Sequence, residues 1–453
     1  MYISSHINLG HCHSLVTEAA QEACATLVHA QMNIMRHEPM MNVINNLTRT
    51  HLAQKSRIDN WFLWNGGSDA VEGAIKIARM ATGKQNIITS NLGYHGRTFM
   101  TMGLTASGTI YRSGFGPLPS GIFQTPFPYL SRSPFARRTD NTDDGSCSTC
   151  GASGNERFSV EKCPSWGCQP QDVMEKEVKR CLFELEFLLR TQTSPEETAC
   201  IILEPVLGEG GYVPSPPGYL RGVRDICDKN NILLICDEVQ TGFGRTGTLF
   251  ASEWIGGDCI DDPEMLLIPD IVVCAKGLAN GFPLSAVGTR KNIADKQVPG
   301  SMGGTYGGNA VACAASNAVF HVLENENILE NSMLLASVTR KYLSSVSTMM
   351  PGLIREVRGR GLMIGVEFNA FGEDSYFGLE SNVPESYGQF ASAVAKTCWD
   401  HDLIVLSCGP FDTVRLIPPL NISEIDLVEC LNVFSKAVEK TAMSFQNQNK
   451  RKI

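Results

Sequence analysis

Ile232-Leu233-Leu234-Ile235-Cys236-Asp237-Glu238-Val239-Gln240-Thr241-Gly242 decides how this chain is read. The short apolar run suits a strand covered on both faces, and it delivers a carboxylate, Asp237, at its end. An unpaired carboxylate is costly to bury there, so Asp237 requires a cationic partner; a protonated pyridine nitrogen would serve. Downstream, Asp270-Ile271-Val272-Val273-Cys274 has the same character and is followed by Ala275-Lys276-Gly277. A lysine in that position is either snorkelling or chemically used. Upstream, Asn86-Ile87-Ile88-Thr89 and Ala199-Cys200-Ile201-Ile202-Leu203 are further strand candidates. Leu220 to Asn230 reads as the crossover helix between the last of these and the 232 strand. Ser68 to Met80 puts Val71, Ala74, Ile75 and Ala78 on one helical face. Apolar strands joined by helices predict a mostly parallel sheet buried on both faces. Asp237 and Lys276, at the carboxyl ends of two of its strands, then face one crevice.

The rest of the composition narrows the partners. With 38 basic against 47 acidic residues the net charge is −9, and no basic stripe is present, which argues against nucleic acid and anionic membrane. Apolar runs are far shorter than the roughly 20 residues of a membrane helix. The 16 cysteines are scattered through apolar segments of a chain long enough to bury a large core, as reduced intracellular thiols are. The first basic residue is Arg36, so neither a secretory n-region nor an Arg-rich transit peptide is expected. The compartment expected is cytoplasmic, or mitochondrial if a longer native N-terminus exists.

Two motifs near the first strands carry further chemistry. Asn65-Gly66-Gly67-Ser68-Asp69 is a glycine turn opening a helix, whose free N–H groups bind an anion such as phosphate. Alone, the pattern serves equally as an ordinary Ser68 N-cap. G-x-x-x-x-G-K-[ST] does not occur, and Gly208-Glu209-Gly210, which continues as Gly211-Tyr212-Val213, is not G-x-G-x-x-G; Gly242-Phe243-Gly244-Arg245-Thr246-Gly247 has that spacing, a weak signal by itself. Tyr94-His95-Gly96-Arg97-Thr98 offers an aromatic to stack on a planar ring and an arginine to grip a carboxylate. By itself it is also compatible with a surface loop.

Together, in this order, the motifs resemble the class III pyridoxal-phosphate aminotransferases, over residues 7–130 and 175–440. Gly67-Ser68-Asp69-Ala70, Ile202-Leu203-Glu204-Pro205 through Gly208-Glu209-Gly210-Gly211, Asp237 to Gly242 with Ala275-Lys276-Gly277, and Gly303-Gly304-Thr305-Tyr306-Gly307-Gly308-Asn309 carry the likeness. Tyr94 to Thr98, Gly208 to Gly211 and Leu406-Ser407-Cys408-Gly409-Pro410 most resemble the bacterial 4-aminobutyrate aminotransferases. The resemblance implies a fold-type-I α/β body with a mostly parallel sheet and a smaller α/β domain. It implies pyridoxal 5'-phosphate as cofactor, and a homodimer with shared active sites. Small-molecule amino donors and 2-oxo acid acceptors would be the partners.

The resemblance also assigns roles. Lys276 matches the lysine that links to the cofactor and shuttles the proton, and Asp237 the carboxylate that keeps the pyridine nitrogen protonated. Gly67 and Ser68 match the phosphate cradle, Tyr94 the stacking aromatic, and Gln240 the partner of the phenolic oxygen. His95 and Val239 join the cofactor-binding set, and Thr305 reaches the phosphate of the neighbouring subunit. Arg97 would hold the carboxylate remote from the reacting amine, and Arg415, in Thr413-Val414-Arg415-Leu416, the α-carboxylate of glutamate. Glu209 would cover Arg415 when 4-aminobutyrate is bound, while Glu204 lies beside the substrate pocket. Ornithine and acetylornithine aminotransferases, a racemase of the same family and a catalytically silent member are the alternatives.

The expected organisation has an N-terminal segment, 1–45, contributing to the small domain, a large domain at 46–316 and the C-terminal small domain at 317–453. Residues 131–172, rich in Ser, Gly, Asp, Cys and Pro, read as an inserted surface loop. Its Cys147-x2-Cys150 pair has zinc-knuckle spacing and Cys163-x4-Cys168 does not, so a solvated loop without metal is expected. A long helix is expected from Asn317, a strand over Gly361 to Phe368, and a frayed tail from Ser444. Relatives usually carry some forty further residues before Ile7, and Ser4 falls where they place an apolar residue touching substrate.

Overall fold

The computed structural model describes residues 7–136, 171–254, 266–370 and 389–450, with side chains to residue 447. Seven strands form the main sheet: β1 (Asn60–Trp64), β2 (Asn86–Ser90), β3 (Ile122–Thr125), β4 (Thr198–Leu203), β7 (Leu233–Asp237), β8 (Ile271–Cys274) and β9 (Ser285–Thr289). Their spatial order is β1-β9-β8-β7-β4-β2-β3. The pairs from β8 to β3 are parallel, whereas β9 is antiparallel to both β8 and β1. Every residue of β4 and β8 is buried, as continuous apolar runs covered on both faces require.

All four strand candidates therefore become neighbouring strands of one sheet, with ends shifted by a residue or so. The expected crossover helix is Tyr219–Asn230, joining β4 to β7, and Gly67–Thr82 is the helix opened by the glycine turn. β7 and β8 lie side by side in parallel, with Asp237 opposite Val273. Their carboxyl ends thus share one edge, and Lys276 begins a short 3₁₀ turn just after β8.

Between β4 and β7 a small hairpin, β5 (Val206–Leu207) and β6 (Val213–Pro214), frames Gly208 to Gly211. A second, antiparallel sheet has the order β10-β11-β13-β12: β10 (Ile354–Arg360), β11 (Met363–Phe368), β12 (Leu406–Cys408) and β13 (Thr413–Leu416). Helices Ser14–Thr26 and Glu38–Arg49 pack on Ala310–Asn325, and their apolar faces share a core with the second sheet.

Four expectations need correction. The long helix from Asn317 is two helices, Ala310–Asn325 and Ile328–Met349, so position 317 lies inside the first. Asn327, at φ 52°, breaks them in the left-handed conformation that asparagine tolerates. The expected strand begins at Met363 because Gly361, at φ 55°, makes the hairpin turn before it. The tail does not fray at Ser444: helix Glu424–Lys450 continues, and Phe445 packs edge-on against Phe390 with ring centroids 5.3 Å apart. The insert ends before residue 171, where helix Gln171–Thr191 starts, while its four cysteines lie outside the described residues.

Candidate active site

The shared edge of the main sheet opens on a cavity of about 390 Å³ lined by Gly67, Ser68, Tyr94, His95, Glu204, Asp237, Val239, Gln240 and Lys276, among others. Nine of the thirteen expected site residues are thus brought together from five separate segments. Arg97, Glu209 and Arg415 do not line this cavity but form a connected cluster described below. Thr305 is exposed on the chain surface.

Asp237 is 4 % exposed, and both its oxygens are engaged. Oδ1 accepts from the Val239 N–H at 3.1 Å, and Oδ2 lies 2.8 Å from His95 Nδ1. The His95 ring is fixed from its other side by Thr89 Oγ1, 3.0 Å from Nε2. His95 therefore lines the cavity and also aims Asp237. Thr89, at the end of β2, completes this relay and gave no sequence signal beyond its place in a strand.

Lys276 takes φ 45°, a left-handed conformation that an L-residue adopts only where its surroundings impose it. Burial lowers the pKa of its amine, against the opposing pull of Glu209 and Asp237. A lysine eased toward its neutral form is one that can accept a proton or attack a carbonyl.

The glycine turn makes a cradle. Gly67 and Ser68 open helix Gly67–Thr82, where first-turn N–H groups have no partner within the helix. The Gly66 N–H is taken by Asp69 Oδ2 at 3.1 Å. A Cβ on Gly67 would lie 2.9 Å from Val239 Cγ1, so only glycine leaves the floor open. Ser68 Oγ accepts from the Arg97 N–H at 3.2 Å, tying the cradle to the Tyr94 loop. Helix-opening amides, Tyr94 and Val239 on the cavity wall, a buried carboxylate and a lysine amine form a set that fits a phosphorylated, protonated aromatic cofactor.

Glu204 lies on the cavity wall, and both of its oxygens are engaged by backbone. Its Oε1 accepts the Tyr94 N–H at 2.8 Å and its Oε2 the Gly208 N–H at 2.9 Å. It clamps the Tyr94 loop to the hairpin that carries Glu209. Burial pushes its pKa up to about 7, with His95 opposing and Asp237 adding to the rise. Gln240, expected on a phenolic oxygen, already gives one N–H to the Tyr212 hydroxyl at 2.8 Å. Tyr212 was not foreseen.

The two arginines are joined through Glu209. Arg415 Nη1 donates to Glu209 Oε1, with the guanidinium side chain 7 % and the carboxylate side chain 17 % exposed. Arg415 Nε is buried with no hydrogen-bond partner among the described residues. Burial opposes the Arg415 charge, but Tyr212 and Glu209 outweigh it and raise its pKa. Arg97 is exposed, donates Nε–H to the Tyr94 hydroxyl at 3.0 Å and lies 5.1 Å from the Tyr111 ring centre. The Tyr111 hydroxyl in turn reaches Glu209 Oε2 at 3.3 Å.

Ser4 lies outside the described residues, whereas Ile7 lines the cavity. Asn8 is held by the Phe243 carbonyl at 2.7 Å and by Arg245 Nη2 at 2.9 Å. These contacts stitch the N-terminal segment to the loop after Asp237.

Comparison with known proteins agrees with this geometry. The family model for class III aminotransferases matches residues 2–438. The chain is 31% identical over 437 residues to the 5-aminovalerate aminotransferase of Pseudomonas aeruginosa, covering 96% of this chain and 88% of that one. It is likewise 31% identical over 438 residues to the 4-aminobutyrate aminotransferase of Escherichia coli, covering 96% and 87%. An amine transaminase from an uncultivated Pseudomonas species, solved with PLP bound, superposes with a TM-score of 0.77 at 25% identity, covering 96% of this chain and 88% of that one. With a sheet-end aspartate and lysine facing one cavity and a family match over nearly its whole length, the chain belongs to the class III aminotransferases.

Proposed function

We propose that this enzyme moves the amino group of an ω-amino acid such as 4-aminobutyrate to 2-oxoglutarate, giving the semialdehyde and glutamate. That it is a pyridoxal-phosphate-dependent aminotransferase follows from its family; the donor is our reading. When bound, pyridoxal phosphate supplies an electrophilic carbonyl for the donor amine and a protonated ring nitrogen that draws electron density from the reacting carbon. Gly67 and Ser68 would hold its phosphate, Tyr94 and Val239 its ring, Asp237 its nitrogen and Gln240 its phenolic oxygen. Lys276 Nζ would take the proton from the donor carbon that bears nitrogen and deliver it to the carbon on the other side of that nitrogen. Such acid–base help is worth about 10²–10⁴-fold.

The observation that carries the donor assignment is the Arg415–Glu209 pair beside a second cation, Arg97. An ω-amino acid has one carboxylate, for Arg97, and leaves Arg415 covered by Glu209. Glutamate has two, and its α-carboxylate would displace Glu209 from Arg415. The relatives named for 5-aminovalerate, one methylene longer than 4-aminobutyrate, favour ω-amino monocarboxylates as the class. A homodimer accords with the exposed apolar residues Ile110, Phe115 and Tyr306, and with Thr305 standing beside the last of these.

The test is a half-reaction screen of amino donors, following the absorbance change as the amino group passes to the cofactor. Reaction with 4-aminobutyrate or 5-aminovalerate, and with glutamate, is expected. A faster reaction with ornithine would move the assignment to the ornithine enzymes, and no absorbance band after incubation with pyridoxal phosphate would mark a silent member.

A further inference from the structure

We infer that Tyr111 is a specificity-determining positioning residue, whose hydroxyl holds Glu209 over Arg415 and so biases the site toward donors without an α-carboxylate. The inference rests on the ω-amino acid reading above and adds to it a group that no motif carries.

Both oxygens of Glu209 are in use: Oε1 accepts from Arg415, and Oε2 accepts from the Tyr111 hydroxyl at 3.3 Å. A carboxylate held only by Arg415 would be free to turn about its last torsion, whereas a second donor on the other oxygen restricts it to the covering orientation. The Tyr111 ring is itself restrained. It meets the Tyr94 ring edge-on, with centroids 5.1 Å apart at 74°, and the Arg97 guanidinium lies 5.1 Å from its centre. Its backbone sits in the 3₁₀ turn Thr109–Tyr111, and the neighbouring Arg112 anchors that turn to the Thr105 carbonyl at 3.3 Å. The hydroxyl is therefore presented to Glu209 by a ring fixed on two sides. Burial and the nearby Glu209 charge raise the phenol's pKa, so it remains protonated and donates.

The consequence is directional. A donor with a single carboxylate leaves Glu209 where it is. A donor with an α-carboxylate must displace Glu209 from Arg415, and Tyr111 adds a second hydrogen bond to what is broken. The same ring lies beneath Arg97, so the cation for the remote carboxylate and the cover on Arg415 share one support.

Tyr111→Phe keeps the ring and its contacts with Tyr94 and Arg97 and removes only the hydroxyl. In the holoenzyme the ratio of half-reaction kcat/KM for glutamate over 4-aminobutyrate should rise roughly threefold to tenfold, as expected for one lost hydrogen bond. Calorimetric titration with two unreactive acids gives a readout separate from activity: glutarate should gain affinity relative to butanoate by a similar factor. Glu209→Gln, measured alongside, separates this inference from the reading beneath it. If Glu209→Gln shifts the donor ratio and Tyr111→Phe does not, Tyr111 has no such role while the Arg415 cover stands. If neither shifts it, the cover itself is refuted and the inference falls with it. Equal losses for both donors in a Tyr111→Phe protein of unchanged melting temperature would reduce Tyr111 to a structural residue and overturn the proposal.

Discussion

Replacing Glu209 by Gln removes the charge that covers Arg415 while keeping a side chain of the same shape. Breaking a fully buried ion pair by removing one partner costs about 3–5 kcal/mol. Here the pair is not fully buried, since the Glu209 side chain is 17 % exposed against 7 % for Arg415. Water can therefore reach the guanidinium from the Glu209 side, and the glutamine oxygen still accepts a hydrogen bond. A net cost of about 1.4 kcal/mol is a reasonable estimate, equal to a tenfold change. That cost applies to the complex with 4-aminobutyrate, in which Arg415 has no substrate carboxylate. It does not apply with glutamate, whose α-carboxylate replaces the lost charge. Rapid-mixing measurement of each half-reaction should thus show 4-aminobutyrate slowed about tenfold and glutamate nearly unchanged. Arg415→Lys should do the reverse, because an ammonium cannot reproduce the guanidinium's fork toward a carboxylate. Equal losses for both donors in both variants would refute the covering arrangement.

Lys276→Ala should abolish transamination and retain cofactor binding through the phosphate cradle, as equilibrium dialysis would record; turnover above a few per cent of the parent contradicts its assignment. Gly67→Ala, whose Cβ would lie 2.9 Å from Val239 Cγ1, should weaken pyridoxal phosphate binding on the order of tenfold, with little change in fold by circular dichroism. In the cofactor-free protein, burial lowers the Lys276 pKa below its ordinary 10.5, so the unfolded chain binds more protons than the folded one between those values. Stability should therefore rise with pH across that window, and Lys276→Met should remove this rise; denaturant titrations that stay parallel for both proteins would show that the amine is not held as described.

How much of this was legible depended on whether a residue's role is written in its immediate neighbours. Asp237 and Lys276 were readable because a charge at the end of a short apolar run is anomalous anywhere in a chain, and a parallel sheet sends such ends to one edge. Gly67 was readable only in company, since a glycine pair opening an amphipathic helix serves equally as an ordinary cap until the other motifs stand beside it. The helix end near Lys450 was misread because local polarity was taken as an ending, and the break at Asn327 was missed because a continuous helix was expected there. The actual break depends on one left-handed asparagine, and the actual continuation on Phe445 reaching Phe390.

Residues whose function lies in a long-range contact left no such mark. Arg358 sits on β10 among other charges, Ile354-Arg355-Glu356-Val357-Arg358, a pattern that reads as a solvated strand. In the fold it is 1 % exposed and pairs with the fully buried Glu367 at 2.6 Å, while its Nε–H meets the Gly211 carbonyl at 2.9 Å and its Nη2 the Thr413 hydroxyl at 3.1 Å. Gly211 ends the turn that carries Glu209, and Thr413 begins the strand that carries Arg415. A single buried cation thus ties the turn that carries Glu209 to the strand that carries Arg415. The same logic applies to Tyr111 and Glu209, which lie 98 residues apart in sequence and touch only because the Tyr94 loop and the β5–β6 hairpin are clamped by Glu204. Asp237 and Lys276 sit at strand ends, where sequence shows them. The groups to which we assign the choice of donor meet through hydrogen bonds across elements, which only the assembled fold reveals.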